Sequence, residues 1–283
     1  MKKLIIISAL LFSVMTPIAH ADTPPAIAVI DSGEPTALFP NIVGEYCVVE
    51  YTTCPNGQKT MDGPGAANIA PSTNAALTHG TEMLSIISKV NPSAKLVPIR
   101  IIGINNGVPQ LYTLNAVKSA LDWIIANQAK YNIKIVSISQ GAVFAWCAVP
   151  AGFAEDVNTL KANGVSVVAA TGNNSNRTAM FSPACLPSVI SVGATDNPDP
   201  GSSGKTWDPT AKPYIARYSN GTPQTSYYTN ARYIVLQPNG TTKFMVGTSN
   251  ATAALSAYLL NNPNPVTTTA SNEWLTGKYV FIQ

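Results

Sequence analysis

Charge is scarce in this chain. Of 283 residues, Asp, Glu, Lys and Arg make up 11%, against roughly a quarter in an ordinary globular protein. The 17 basic and 14 acidic side chains give +3. Without Lys2 and Lys3, which sit in a removable leader described below, 15 basic face 14 acidic and +1 remains. That balance offers no electrostatic footprint for nucleic acid and no polybasic stretch for a membrane surface. Histidine is scarcer still: His20 and His79 are the whole supply. Once His20 leaves with the leader, zinc sites of the HExxH kind are excluded. Neither GxGxxG after a strand nor GxxxxGK[ST] occurs, so nucleotide phosphates have no cradle. No apolar run approaches the ~20 residues of a membrane span. What is plentiful is apolar residues, at 46%, which excludes a disordered chain. Asn, Ser, Thr, Gln and Gly must dress the surface.

Residues 1–21 read as a signal peptide. Lys2 and Lys3 give the positive start, Leu4 to Phe12 the apolar middle, and Ala19-His20-Ala21 a small-x-small cleavage site. Cleavage after Ala21 is expected, with residues 22–283 as one domain in the periplasm or medium and no membrane attachment afterwards. Export permits disulfides. Four cysteines allow three pairings; the seven-residue spacing of Cys47 and Cys54 favours a local loop, leaving Cys147 with Cys185.

Apolar β-branched runs over 26–30, 95–102, 133–138, 165–170 and 188–193 read as strands covered on both faces, the second weakened by Pro98. Helical spacing marks 81–90, 114–128, 153–163 and 249–260. This alternation predicts a mostly parallel sheet in a three-layer α/β/α fold. The polar stretch 197–230 reads as long loops and turns.

Four residues stand where parallel sheets gather chemistry, at strand ends and helix starts. Asp31 closes the first strand, in Val29-Ile30-Asp31-Ser32-Gly33. His79 lies in Thr78-His79-Gly80-Thr81, just before a helix. Asn173 follows the fourth strand. Ser249, in Gly247-Thr248-Ser249-Asn250, opens the last helix, where unpaired N–H groups favour developing negative charge. Taken singly, each suits a turn or a cap as well as a site. An imidazole near neutrality serves as a general base, and a side-chain amide as an oxyanion donor.

In this order the residues make the chain resemble the subtilisin-like serine proteases. The resemblance runs over about 26–260 and takes in 94–102, 121–127, Ser139-Gln140-Gly141 and 187–194. It implies a serine endopeptidase with Asp31, His79 and Ser249 as a triad, Asn173 as oxyanion donor, and no cofactor for the chemistry. An extended protein or peptide substrate would lie between Asn106-Gly107-Val108 and Ser139-Gln140-Gly141. Phe181 would floor a shallow primary pocket suited to small or slim residues, and Ser182–Pro183 is where the family has a cis peptide bond. Three departures stand out. Ala253 replaces a proline usual in the family, and polar Gln140 replaces an apolar residue. Only residues 22–30 separate the leader from Asp31, where subtilases usually carry a folding propeptide. Some bacterial toxin subunits share that layout, so a toxin or effector role with a partner subunit, or a catalytically silent binding fold, stays open. The family commonly holds calcium, but here a structural calcium has no assignable ligands: Glu45, Glu50 and Asp62 read as solvated surface.

Overall fold

The apolar runs become the centre of a single sheet. In the computed structural model, which describes residues 23–70, 72–106, 108–110, 113–141, 147–196 and 212–282, the first half of the chain forms β1 (Ala26–Asp31), β2 (Tyr46–Val48), β3 (Thr60–Asp62), α1 (Ala75–Val90), β4 (Lys95–Arg100), β5 (Gly103–Asn105), β6 (Val108–Gln110), α2 (Leu114–Tyr131) and β7 (Ile133–Ile138). The second half forms α3 (Phe153–Ala162), β8 (Ser166–Ala170), β9 (Ile190–Asp196), β10 (Tyr214–Ile215), β11 (Tyr227–Asn230), β12 (Arg232–Leu236), β13 (Thr242–Val246), α4 (Thr248–Leu259), β14 (Thr268–Ser271) and β15 (Thr276–Val280). The leader lies outside the described residues. Among those described, no helix is long and apolar enough to cross a membrane.

The sheet runs β10-β14-β15-β11-β9-β8-β7-β1-β4-β2-β3. From β15 to β2 every neighbouring pair is parallel. Side chains alternate across it with period two. Ala26, Ala28, Ile30, Val136 and Ile138 pack under α2 and α3, through Val117, Leu121, Val157 and Leu160. Ile27, Val29, Ile135 and Val168 pack under α1 and α4, through Leu84, Ile87, Ala254 and Leu255. The expected three layers are therefore present, and each face closes its own core.

Pro98 sits inside β4 without breaking it. Leu96 N–H bonds to the Asn41 carbonyl, and alternate residues point the same way, so the missing donor of Pro98 faces the same flank. There the neighbouring chain slips register: Ile42 pairs with Leu96, but Tyr46 pairs with Ile99. The absent hydrogen bond falls where no ladder exists.

Two expectations are corrected. His79 lies within α1, which begins at Ala75 behind an Asn74 cap whose side chain accepts from Ala76 N–H; it does not precede the helix. The stretch 197–230 is not all loop: β10 and β11 lie there and join the main sheet, with Tyr228 fully buried, while 197–211 falls outside the described residues. Both disulfides pair as expected, Cys47 with Cys54 and Cys147 with Cys185.

Candidate active site

Three adjacent strands, β1, β7 and β8, end at one place. Asp31 is the last residue of β1, Ser139 follows β7, and Thr171 to Asn173 follow β8. Two helices from the opposite face meet these ends: α1 carries His79 and α4 starts at Thr248.

The turn after β1 locks α1 in register. Ser32 donates through Oγ to the Leu77 carbonyl (3.1 Å) and accepts at Oγ from the Gly80 N–H (2.8 Å). Helix and turn touch so closely that a Cβ on Gly80 would lie 2.3 Å from the Gly33 carbonyl oxygen. Only glycine admits that approach, and it seats the imidazole over the carboxylate. His79 Nδ1 is 2.9 Å from both oxygens of Asp31. Asp31 is buried and His79 partly open to the cleft. Burial pulls the imidazole pKa down, but the charge and hydrogen bond of Asp31 outweigh it, and the His79 pKa stands above its ordinary value.

α4 brings the alcohol. Ser249 Oγ donates to the Ser139 carbonyl at 3.4 Å, and Ser139 Oγ donates back to the Ser249 carbonyl at 3.2 Å. In this arrangement Ser249 is hydrogen-bonded to the loop after β7 rather than to His79. Asn173 faces the same helix start. Its Oδ1 accepts from Thr248 N–H (2.9 Å) and Thr248 Oγ1 (3.0 Å), which orients the amide and leaves Nδ2 with no partner among the described residues. The residue is exposed, so Nδ2 opens to the cleft beside the Ser249 N–H of the first helical turn.

The remaining expected site residues are placed as follows. Gln140, expected beside the substrate in Ser139-Gln140-Gly141, reaches inward, with Nε2 3.0 Å from Asp31 Oδ1 and 3.1 Å from His79 Nδ1; no motif signals this contact. Phe181 is half-buried, its N–H bonded to the Thr171 carbonyl. Its ring lies where a Cβ on Gly172 would be 2.7 Å away, and its own Cβ is 3.3 Å from one built on Gly141. Gly141 and Phe181 thus share one wall. The bond Ser182–Pro183 is cis. Asn106 and Val108 occupy the turn and the return strand of the β5–β6 hairpin, with Val108 exposed; Gly107 lies outside the described residues.

The three carboxylates read as solvated surface are engaged with protein donors. Glu45 is buried and accepts from Gly65 N–H and Ala67 N–H. Glu50 caps α2, accepting from Thr113 N–H (2.7 Å) and Thr113 Oγ1 (2.6 Å). Asp62 accepts from Trp123 Nε1. Asp62 is nonetheless exposed, as expected, whereas Glu45 is buried. Among the described residues, no three His, Cys, Asp or Glu side chains are grouped to hold a metal.

Known proteins agree with this architecture. Subtilisin BL and subtilisin Savinase of Lederbergia lenta are each 28% identical over 170 residues, 60% of this chain and 55% of their own length. M-protease of Shouchella clausii is matched over 39% of its length at the same identity. The chain thus spans about half or less of the length of these relatives. Among solved structures, sphericase superposes with a TM-score of 0.63 at 20% identity, covering 86% of this chain and 79% of its own. A mutant of the protease domain of PatA gives 0.64 at 19%, covering 84% and 78%. The family model described as the subtilase family matches residues 25–267. With a match over most of its length and a parallel sheet that delivers the expected residues to one edge, this chain belongs to the subtilase family.

Proposed function

We propose that the chain is a serine endopeptidase acting on protein or peptide substrates. Ser249 attacks the peptide carbonyl. His79 takes its proton and returns it to the leaving amine. Asp31 keeps the Nδ1–H tautomer in place and stabilises the imidazolium. Asn173 Nδ2 and the Ser249 N–H receive the oxyanion. The carrying observation is the hydrogen bond of His79 Nδ1 to both oxygens of buried Asp31, at the strand ends that α4 also reaches. For the chemistry, Ser249 Oγ must leave the Ser139 carbonyl and hydrogen-bond to His79 Nε2.

Labelling with a fluorophosphonate tests the reading: the wild type takes up the probe and Ser249→Ala does not. Equal labelling of the two, or none, discards it. Asn173→Ala should lower kcat about 10²–10³-fold. Because the His79 pKa is raised, the acid limb of kcat/KM belongs above pH 6.5, the ordinary imidazole value.

The primary pocket, with Gly141 and Phe181 on one wall, suits small or slim residues before the cut. Cleavage of a peptide library with preference for Phe or Tyr there would refute this. Export follows from residues 1–21: the N-terminus of protein recovered from periplasm or medium should be Asp22. No cofactor enters the chemistry. A structural calcium, a partner subunit and a toxin role are left without a specific residue to carry them.

A further inference from the structure

We propose that Gln140 is a positioning residue, an amide that shares the Asp31 carboxylate with His79 and so sets how strongly the imidazole holds its proton. The inference rests on the endopeptidase reading above for its functional meaning. It rests on geometry for its existence.

The carboxylate of Asp31 receives donors from three elements. Ser32 N–H, in the turn after β1, binds Oδ1 at 2.7 Å. His79, from α1, approaches both oxygens at 2.9 Å. Gln140, from the loop after β7, binds Oδ1 at 3.0 Å. The Gln140 nitrogen also lies 3.1 Å from His79 Nδ1, but that nitrogen already carries the proton given to Asp31, so it has no lone pair to offer. Both N–H groups therefore converge on one carboxylate. Turning the amide over would set Gln140 Oε1 against a carboxylate oxygen, acceptor facing acceptor. The network selects the orientation with Nε2 inward.

This third donor takes up part of the negative charge that would otherwise act on the imidazolium and the Ser32 N–H. It also fixes the plane of the carboxylate and, through it, the ring. Other charges face His79 from two elements: Glu82 on α1, which strengthens its hold on the proton, and Lys243 on β13, which weakens it. Those two are bonded to each other at 2.7 Å. The loop after β7 presents Ser139, Gln140 and Gly141 and no charge. Gln140 is thus the neutral lever on the pair, at a position where the family commonly has an apolar side chain that cannot donate.

The test is Gln140→Met, which keeps an unbranched side chain of similar length and deletes the donor, and Gln140→Glu, which keeps the shape and adds a charge. The sequence holds two histidines, so nitrogen NMR of the imidazoles resolves His79, assigned by its loss in His79→Ala. In Gln140→Met the His79 midpoint should rise by about one pH unit, a tenfold gain in proton affinity. The acid limb of kcat/KM on a peptide should rise with it, and kcat should fall about tenfold. Gln140→Glu should raise the midpoint further because it adds a negative charge, and Gln140→Leu, which also lacks the donor, carries the test if the methionine variant does not fold. A midpoint unchanged in the folded variant that lacks the donor overturns the proposal. Fluorophosphonate labelling of the wild type, run alongside, separates the two readings. Label with an unmoved midpoint removes the role of Gln140 and leaves the protease standing. A moved midpoint without label removes the protease and supports the shared carboxylate.

Discussion

Two carboxylates three residues apart, Asp31 and Glu34, sit at the same end of β1 at 1% and 0% exposure, and their surroundings differ completely. Asp31 collects Ser32, His79 and Gln140 as donors. Glu34 has no hydrogen-bond partner on either oxygen among the described residues. Burial first, then the nearby charge of Glu45, hold its pKa well above the carboxylate range, against the pull of Arg100. Arg100 spends its donors on the Ile102 and Asn68 carbonyls instead. Equal burial therefore does not give two carboxylates equal surroundings; the donors aimed at each differ. One member of the pair is held by three donors and orients a ring, while the other is a buried acid without a donor among the described residues, its pKa pushed well above 4.5.

The largest effect expected from breaking this contrast is at Asp31. Asp31→Asn keeps the shape but favours the wrong imidazole tautomer, and kcat should fall on the order of 10⁴-fold. With the carboxylate gone, burial and the Lys243 charge lower the His79 pKa against Glu82 alone, so what activity remains should show an acid limb below that of the wild type. A limb left in place would mean that Asp31 is not what raises His79.

A smaller effect is expected at the cation between the two environments. Arg100→Met leaves the Ile102 and Asn68 carbonyls without their donor, at a cost of about 1–3 kcal/mol in urea unfolding. Activity per folded molecule should persist, since Arg100 bonds nothing in the Asp31 cluster.

The smallest effect sharpens the contrast most. Glu34 has a folded pKa above its unfolded value, so the native state holds a proton that the unfolded chain gives up. Its contribution is harmless below the unfolded value, about 4.5. Stability then drains as pH rises toward the folded value. Glu34→Gln removes that drain, so its Tm should exceed the wild type by about 2–4 °C at pH 8 and match it at pH 4. Parallel Tm curves across that range would show that Glu34 does not hold a proton in the fold.

The legible parts of the fold were those where one signal acts alone. The segment 133–138 is a strand with the expected bounds because Ile133, Ile135, Val136 and Ile138 are apolar on both faces of a covered sheet. α2 and α3 start where their spacing begins. The strands β11, β14 and β15 were not legible, because polar residues are frequent in them and pairing with neighbouring strands, not their own pattern, makes them extended. The start of α1 was missed because Asn74 is an ordinary polar residue until its side chain is seen to cap Ala76. Of the site, Asp31, Asn173 and Ser249 stood at positions readable from the ends of strong elements. Gln140 read as part of a substrate wall, since nothing in a one-dimensional string says which way a long amide points.

Residue type and order alone determined the fold class, the short supply of two histidines, and the carboxylate, amide and alcohol that stand at strand ends and helix starts. Those follow from local periodicity and from the inventory of side chains. Only the folded molecule decided which carboxylate has donors and which has none among the described residues, and that Gln140 joins the first. Hydrogen bonds form between groups brought within 3 Å by packing, and sequence distance, here 109 residues between Asp31 and Gln140, carries no information about that approach.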